Sequence, residues 1–240
     1  MMTKKMKDNL KNLLQVKNST NTSADLYFYG DIVSDWYGAW TDEDQYPEQV
    51  KNFLNDAKGK ELNIYINSGG GSVFAGLAIY NMLKRHDGHK TVYVDGLAGS
   101  IASVIALAGD RIIIPPSASL MIHKPWSWSA GNATDFRKLA DDLDAIEECI
   151  MAVYEENMKD GVDLATIKEM VDAETWLDGN KASQYFNIEV GQDRQILNCT
   201  SDYFNSYLNV PEKFKNQIED SQKEQTELEK TKLALELDFI

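Results

Sequence analysis

Ser100 and His123 stand 23 positions apart and are the residues of this 240-residue sequence best suited to nucleophilic catalysis. A serine hydroxyl at its ordinary pKa is a weak nucleophile and needs an adjacent base to take its proton. The sequence holds three histidines, and His86 and His89 fall in a polar connection, 84–90. His123 ends an apolar run, where an imidazole can be held in one orientation. Ser100 follows Gly96, Ala98 and Gly99 and precedes Ile101-Ala102-Ser103. A strand over 91–94 is therefore expected to turn into a helix over 101–107 within a bed of small residues. A hydroxyl at a helix start is an ordinary N-cap. The rival role is a nucleophile whose oxyanion faces the free backbone N–H groups of that helix end. A histidine base also needs a carboxylate to fix its tautomer and stabilise the imidazolium. Asp95, just before the turn, reads as a strand-end residue rather than that partner.

The elements that position these residues repeat. An alternating strand over 62–67 ends in Asn67-Ser68, three glycines follow (Gly69, Gly70, Gly71), and an apolar-periodic helix runs to Leu83. Strand, glycine turn and helix then recur around Ser100. Two consecutive β–α units predict a parallel sheet with crossover helices, and both glycine turns fall at the sheet edge where sites form in such folds.

Taken together, Ile66-Asn67-Ser68-Gly69-Gly70-Gly71, Gly96-Leu97-Ala98-Gly99-Ser100-Ile101-Ala102 and Met121-Ile122-His123-Lys124-Pro125 resemble the ClpP family of serine proteases, within the crotonase-like superfamily. The resemblance is nearest to the ClpP-related head-maturation (prohead) proteases of tailed bacteriophages, through the SVFAGLAIYNML helix, IHKPW and Ala173-Glu174-Thr175-Trp176-Leu177. It covers 26–190 and implies an α/β fold: a repeated β-β-α spiral with a long protruding handle helix. It also implies Ser100 as nucleophile, His123 as base and Glu174 as the third member, with Asp172 and Asp178 as rivals for that place. The implied oxyanion hole is backbone, from Gly70 and Ile101. Gly69 replaces the family's usual proline. Tryptophans in WSWSAG, 126–131, replace the glycine-rich segment that lines the family's cleft.

Composition sets the bounds. Thirty-eight acidic against 24 basic residues give a net charge of −14, which argues against a nucleic-acid partner. No stretch is apolar enough for a membrane span, and 1–11 lacks the apolar region of a signal peptide. Cys149 and Cys199 lie in no metal or redox spacing, so a reducing cytoplasmic setting is expected, with Cys149 buried in its helix. His86-x-x-His89 is two metal ligands without a third, hence a solvated turn. No metal and no cofactor are expected, and no phosphate-binding glycine motif is present.

Along the chain, 1–24 is a polar extension with a short helix at 7–16. The protease domain occupies 25–192. It includes an aromatic cluster (Trp36, Tyr37, Trp40, Tyr46), a helix over 47–57, strands over 26–32, 110–114 and 119–123, and helices over 164–171 and 179–186. Its clearest helix is 132–158, where Phe136, Leu139, Leu143, Ile146, Ile150 and Val153 recur at helical spacing. The remainder, 193–240, is a charged, partly helical or disordered extension. The resemblance implies an ATP-independent endopeptidase that assembles as a homo-oligomer, as rings, and acts on capsid or scaffold protein in the host cytoplasm. Alternatives are a housekeeping peptidase working with an unfoldase, and an inactive crotonase-fold assembly protein.

Overall fold

The computed structural model describes residues 19–39, 44–192, 199, 201–212 and 214. The helix expected at 7–16, Trp40 of the aromatic cluster and the tail from 215 lie outside the described residues.

The sheet is built from β1 (Ser23–Phe28), β2 (Glu61–Ser68), β3 (Lys90–Gly99), β4 (Arg111–Ile114) and β7 (Glu189–Val190), in that spatial order and all parallel. β5 (Ser119–Ile122) pairs in parallel with the far end of β3, and β6 (Thr175–Asp178) closes on β5 antiparallel. The fold is thus α/β with a mainly parallel sheet, as the repeated β–α pattern predicts. Alternation sets the faces: Leu62, Ile64 and Ile66 of β2 are buried. On the opposite face Tyr27, Tyr65 and Tyr93 stack across three strands, with ring centroids 4.8 and 5.2 Å apart.

α1 (Pro47–Asp56), α2 (Val73–Lys84) and α3 (Ile101–Ala106) connect the first strands. All six residues of α3 are buried, so this helix is apolar all round, as one enclosed in a core must be. α5 (Leu164–Asp172) and α6 (Gly179–Tyr185) flank β6.

β3 is longer than the expected four residues and does two jobs. Its first half pairs with β4 and its second half, Leu97–Gly99, with β5. The β2–β3 register shifts between Ile66 and Ser68, and there the Asn67 side chain accepts the Leu97 N–H at 3.2 Å. That irregularity lets one strand run on to the residue before Ser100.

α4 (Ala133–Asn157) is 25 residues, roughly 38 Å at the rise of an α-helix. Asn132 and Asp135 form a reciprocal capping box at its start. Its apolar face is buried only at the far end, at Ile150, Val153 and Tyr154. Leu139, Leu143 and Ile146 are half-buried and Phe136 is exposed. Cys149 is exposed, not buried as expected, because it sits on the outer side of this helix between Ile146 and Ile150.

Packing does not stop where the family resemblance stops. Beyond β7, Cys199, Phe204, Tyr207, Val210 and Phe214 form a second apolar cluster with Leu97 and Met121. Among the described residues no helix is long and apolar enough to cross a membrane.

Candidate active site

Ser100 sits where β3 gives way to α3, at φ 52° and ψ −126°. This conformation is disfavoured for a residue with a side chain and costs on the order of 1–3 kcal/mol. The surroundings hold it there. Its N–H donates to the Met121 carbonyl at 2.9 Å, and its own carbonyl accepts the Ser103 N–H at 2.9 Å. The Ser103 hydroxyl reaches the same carbonyl and also the Tyr154 hydroxyl, at 2.8 Å. The strain turns the Ser100 side chain outward at the head of a helix, as a nucleophile requires. The N-cap role is absent, since the side chain makes no capping hydrogen bond.

The other glycine turn lies directly against it. A Cβ placed on Gly70 would fall 2.7 Å from Ser100 Cβ and 2.8 Å from the Gly99 carbonyl, so only glycine permits this approach, at φ +111°. The Gly70 N–H donates to Ser68 Oγ at 3.2 Å, and the Gly70 carbonyl accepts the Ile32 N–H at 2.8 Å.

His123 follows β5 immediately, and pairing of β5 with β3 brings it beside Ser100. Its Nε2 lies 2.7 Å from Ser100 Oγ. With the hydroxyl donating, Nε2 is the acceptor and Nδ1 carries the proton. Burial pushes the imidazole below its ordinary pKa near 6.5, partly offset by the negative charge of Glu174.

Glu174 lies between α5 and β6, also at positive φ, 49°, and is 8% exposed. Its carboxylate accepts the backbone N–H groups of Leu208 at 2.8 Å and Asn209 at 2.7 Å, and the Trp176 indole N–H at 3.3 Å. Its charge reaches His123, but among the described residues no hydrogen bond joins the two. The rivals are committed elsewhere. Asp172 pairs with Lys124 at 2.8 Å, Asp178 caps α6 through the Lys181 N–H at 2.9 Å, and Asp95 accepts the Tyr29 hydroxyl at 2.7 Å.

An apolar cleft opens beside the pair, lined by Val73, Val104, Pro125, Ile150 and Tyr154. Trp126 and Trp128 are exposed and do not line it. His86 Nε2 meets the Lys60 carbonyl at 2.7 Å and His89 faces Asp110. Among the described residues no three groups are disposed to hold a metal ion.

Sequence reasoning missed Tyr207. Its ring meets the His123 imidazole edge-on, with centroids 5.1 Å apart. Its only sequence signal is the aromatic spacing of Tyr203, Phe204 and Tyr207 in a polar stretch.

A serine on a strained strand-to-helix turn, within hydrogen-bond reach of a half-buried histidine on a mainly parallel α/β sheet, has the form of a serine hydrolase site. The family comparison agrees: residues 42–189 match the Clp protease family, and the chain belongs to that family. It is similar to the ATP-dependent Clp protease proteolytic subunit of Bacteroides fragilis, 31% identical over 134 residues, or 55% of this chain and 63% of the relative. The proteolytic subunit of Chlorella vulgaris is 32% identical over 136 residues, 55% of this chain and 67% of the relative. That of Ligilactobacillus salivarius is 31% identical over 128 residues, 52% and 64%. The match to the bacterial relatives thus spans less than two thirds of their length.

Proposed function

We propose that this chain is a serine endopeptidase in which Ser100 attacks the scissile carbonyl and His123 Nε2 takes the hydroxyl proton, later returning it to the leaving amine. The observation that carries this is the 2.7 Å contact between Ser100 Oγ and His123 Nε2. The neutral imidazole favoured by burial is the form that acts as base. Glu174 supplies the negative charge that stabilises the imidazolium, its carboxylate held by two backbone amides.

Ile101 is the first residue of α3, so its N–H has no intrahelical acceptor and serves the oxyanion. For the second donor the neighbouring peptide is better supported than Gly70. The Gly70 N–H is turned to Ser68. The Gly71 N–H points opposite to the Gly70 carbonyl across a trans peptide, away from Ile32. The residues beside the pair are apolar, which favours an uncharged substrate group next to the scissile bond.

Peptide hydrolysis at this site uses no nucleotide. The phage-type motifs in 72–83, 122–126 and 173–177 support capsid or scaffold protein as substrate in the host cytoplasm. Against that, the curated relatives carry the name of ATP-dependent proteolytic subunits, which favours as second reading a peptidase fed by an unfoldase. The unburied apolar face of α4, from Phe136 to Ile146, supports assembly into a homo-oligomeric ring that would cover it. A fluorophosphonate probe tests the central claim: mass spectrometry of the labelled chain should place the adduct on Ser100, and an unlabelled chain would sink it.

A further inference from the structure

The chain beyond β7 lies outside the matched 42–189, yet it touches the candidate site at three points. The Tyr207 hydroxyl donates to the Gly69 carbonyl at 2.5 Å. The Leu208 and Asn209 N–H groups hold Glu174. Ser201 lies so close to Gly69 that a Cβ there would fall 2.3 Å from Ser201 Oγ and 2.5 Å from Ser201 Cβ. This strap is part of the core: Phe204 is 3% exposed, Tyr207 8% and Phe214 1%.

We propose that the strap, 201–214, is a positioning element of the catalytic centre. Tyr207 fixes the Gly69–Gly71 turn beside Ser100, and the Leu208 and Asn209 amides fix Glu174. The inference rests on the serine-protease reading above. A turn of three successive glycines has more backbone freedom than any other tripeptide, yet it must present a backbone N–H to the oxyanion with little play. The family's usual proline would restrain it, and here that place is Gly69. A hydrogen bond from a buried tyrosine supplies the restraint instead. Burial pushes the Tyr207 phenol above its ordinary range, so the hydroxyl stays a donor. Glycine at 69 is in turn what the strap requires, because a side chain there would occupy the place of Ser201, whose hydroxyl donates to Asp31 at 2.6 Å. Gly69 and the strap are two halves of one arrangement. Glu174 is served likewise: a carboxylate this buried is costly unless donors meet it, and the two amides do.

The test uses the full chain and a fluorophosphonate, with kinact and KI measured separately. Tyr207→Phe keeps the ring against His123 and removes only the donor. Its kinact should fall about tenfold or more, a smaller loss than removal of an oxyanion donor itself. KI should stay within about twofold and Tm within a few degrees, the shift expected for one hydrogen bond in a domain this size. Gly69→Ala should also lower kinact by displacing the strap, and adding Ser201→Gly should restore much of the loss, a recovery that general destabilisation would not give. A labelled wild type with Tyr207→Phe as fast or faster overturns this proposal alone. A wild type that the probe leaves unlabelled overturns the serine-protease reading and this one with it.

Discussion

Asp172 and Lys124 face each other at 2.8 Å, joining the end of α5 to the residue after His123. Lys124 Nζ also stands 3.7 Å from Glu147 of α4. The carboxylate nearest in sequence to Glu174 is therefore spent on anchoring the histidine loop from outside. Exposed pairs of this kind contribute about 0–1 kcal/mol. Asp172→Asn is expected to leave kcat/KM within about threefold of wild type. Glu174→Gln should lower it by orders of magnitude, toward the ~10⁴ that neutralising a triad acid costs. Peptide-hydrolysis kinetics of the two variants decide between the carboxylates, and the reverse ranking would move the role to Asp172.

Ser100→Ala should abolish turnover, and His123→Ala should lose a comparable amount, because a nucleophile and its base act as a unit. Neither residue lies on the unburied face of α4 from Phe136 to Ile146, so particle mass by light scattering should match wild type. Residual hydrolysis near the wild-type rate in Ser100→Ala would place the nucleophile elsewhere.

The pH dependence follows from His123. Burial lowers its pKa from the ordinary 6.5, so the base form persists to more acid conditions. The acid limb of the labelling rate should fall below pH 6.5. Glu174 works in the opposite direction, so Glu174→Gln should move that limb further down. The same shift affects stability. The unfolded chain binds the proton more tightly, so stability from this group is present above about 6.5 and is lost as pH falls through the depressed folded value. An acid limb above 6.5 would contradict the half-buried, neutral imidazole.

Much of this centre is legible in the sequence because local patterns encode it. The alternation of Leu62, Ile64 and Ile66 gives β2, the glycines give the two turns, and their recurrence gives the parallel sheet. His123 could be singled out because the other two histidines sit in a polar connection. What the sequence hides is settled by distant contacts. Lys124 claims Asp172 across 48 positions, and Tyr207 reaches Gly69 across 138. The strap residues alternate with polar ones at no helical or strand period, so they read as surface. Only folding shows that they cover Leu97 and Met121. Cys149 falls among apolar neighbours in sequence, yet a helix packed at one end leaves its side of the turn in solvent.

Leu143 is half-buried on the part of α4 that precedes its buried end. If copies of this chain cover that face, Leu143→Glu places a charge in the interface. Burying an unpaired charge costs several kcal/mol, so the variant should shift to smaller species in light scattering and lose hydrolysis with them. Its monomer fold should survive, since the core contacts of α4 lie at Ile150, Val153 and Tyr154. A wild-type chain that is monomeric at micromolar concentration would remove the ring.

Phe214 ties the strap into the core. It is 1% exposed, and its ring meets Trp176 at 5.5 Å and Phe204 at 6.3 Å. Replacing a buried phenylalanine by alanine costs about 3–5 kcal/mol, so Phe214→Ala should lower Tm by roughly 10 °C at the 2–4 °C per kcal/mol usual for a chain this long. Ending the chain after Val190 removes the strap and exposes Leu97 and Met121, both fully buried. That truncation should be poorly soluble or strongly destabilised, and should lose its reaction with the serine probe. Thermal melts of the three proteins test this. A chain ending at Val190 that melts like wild type would show that the strap lies on the domain without supporting it.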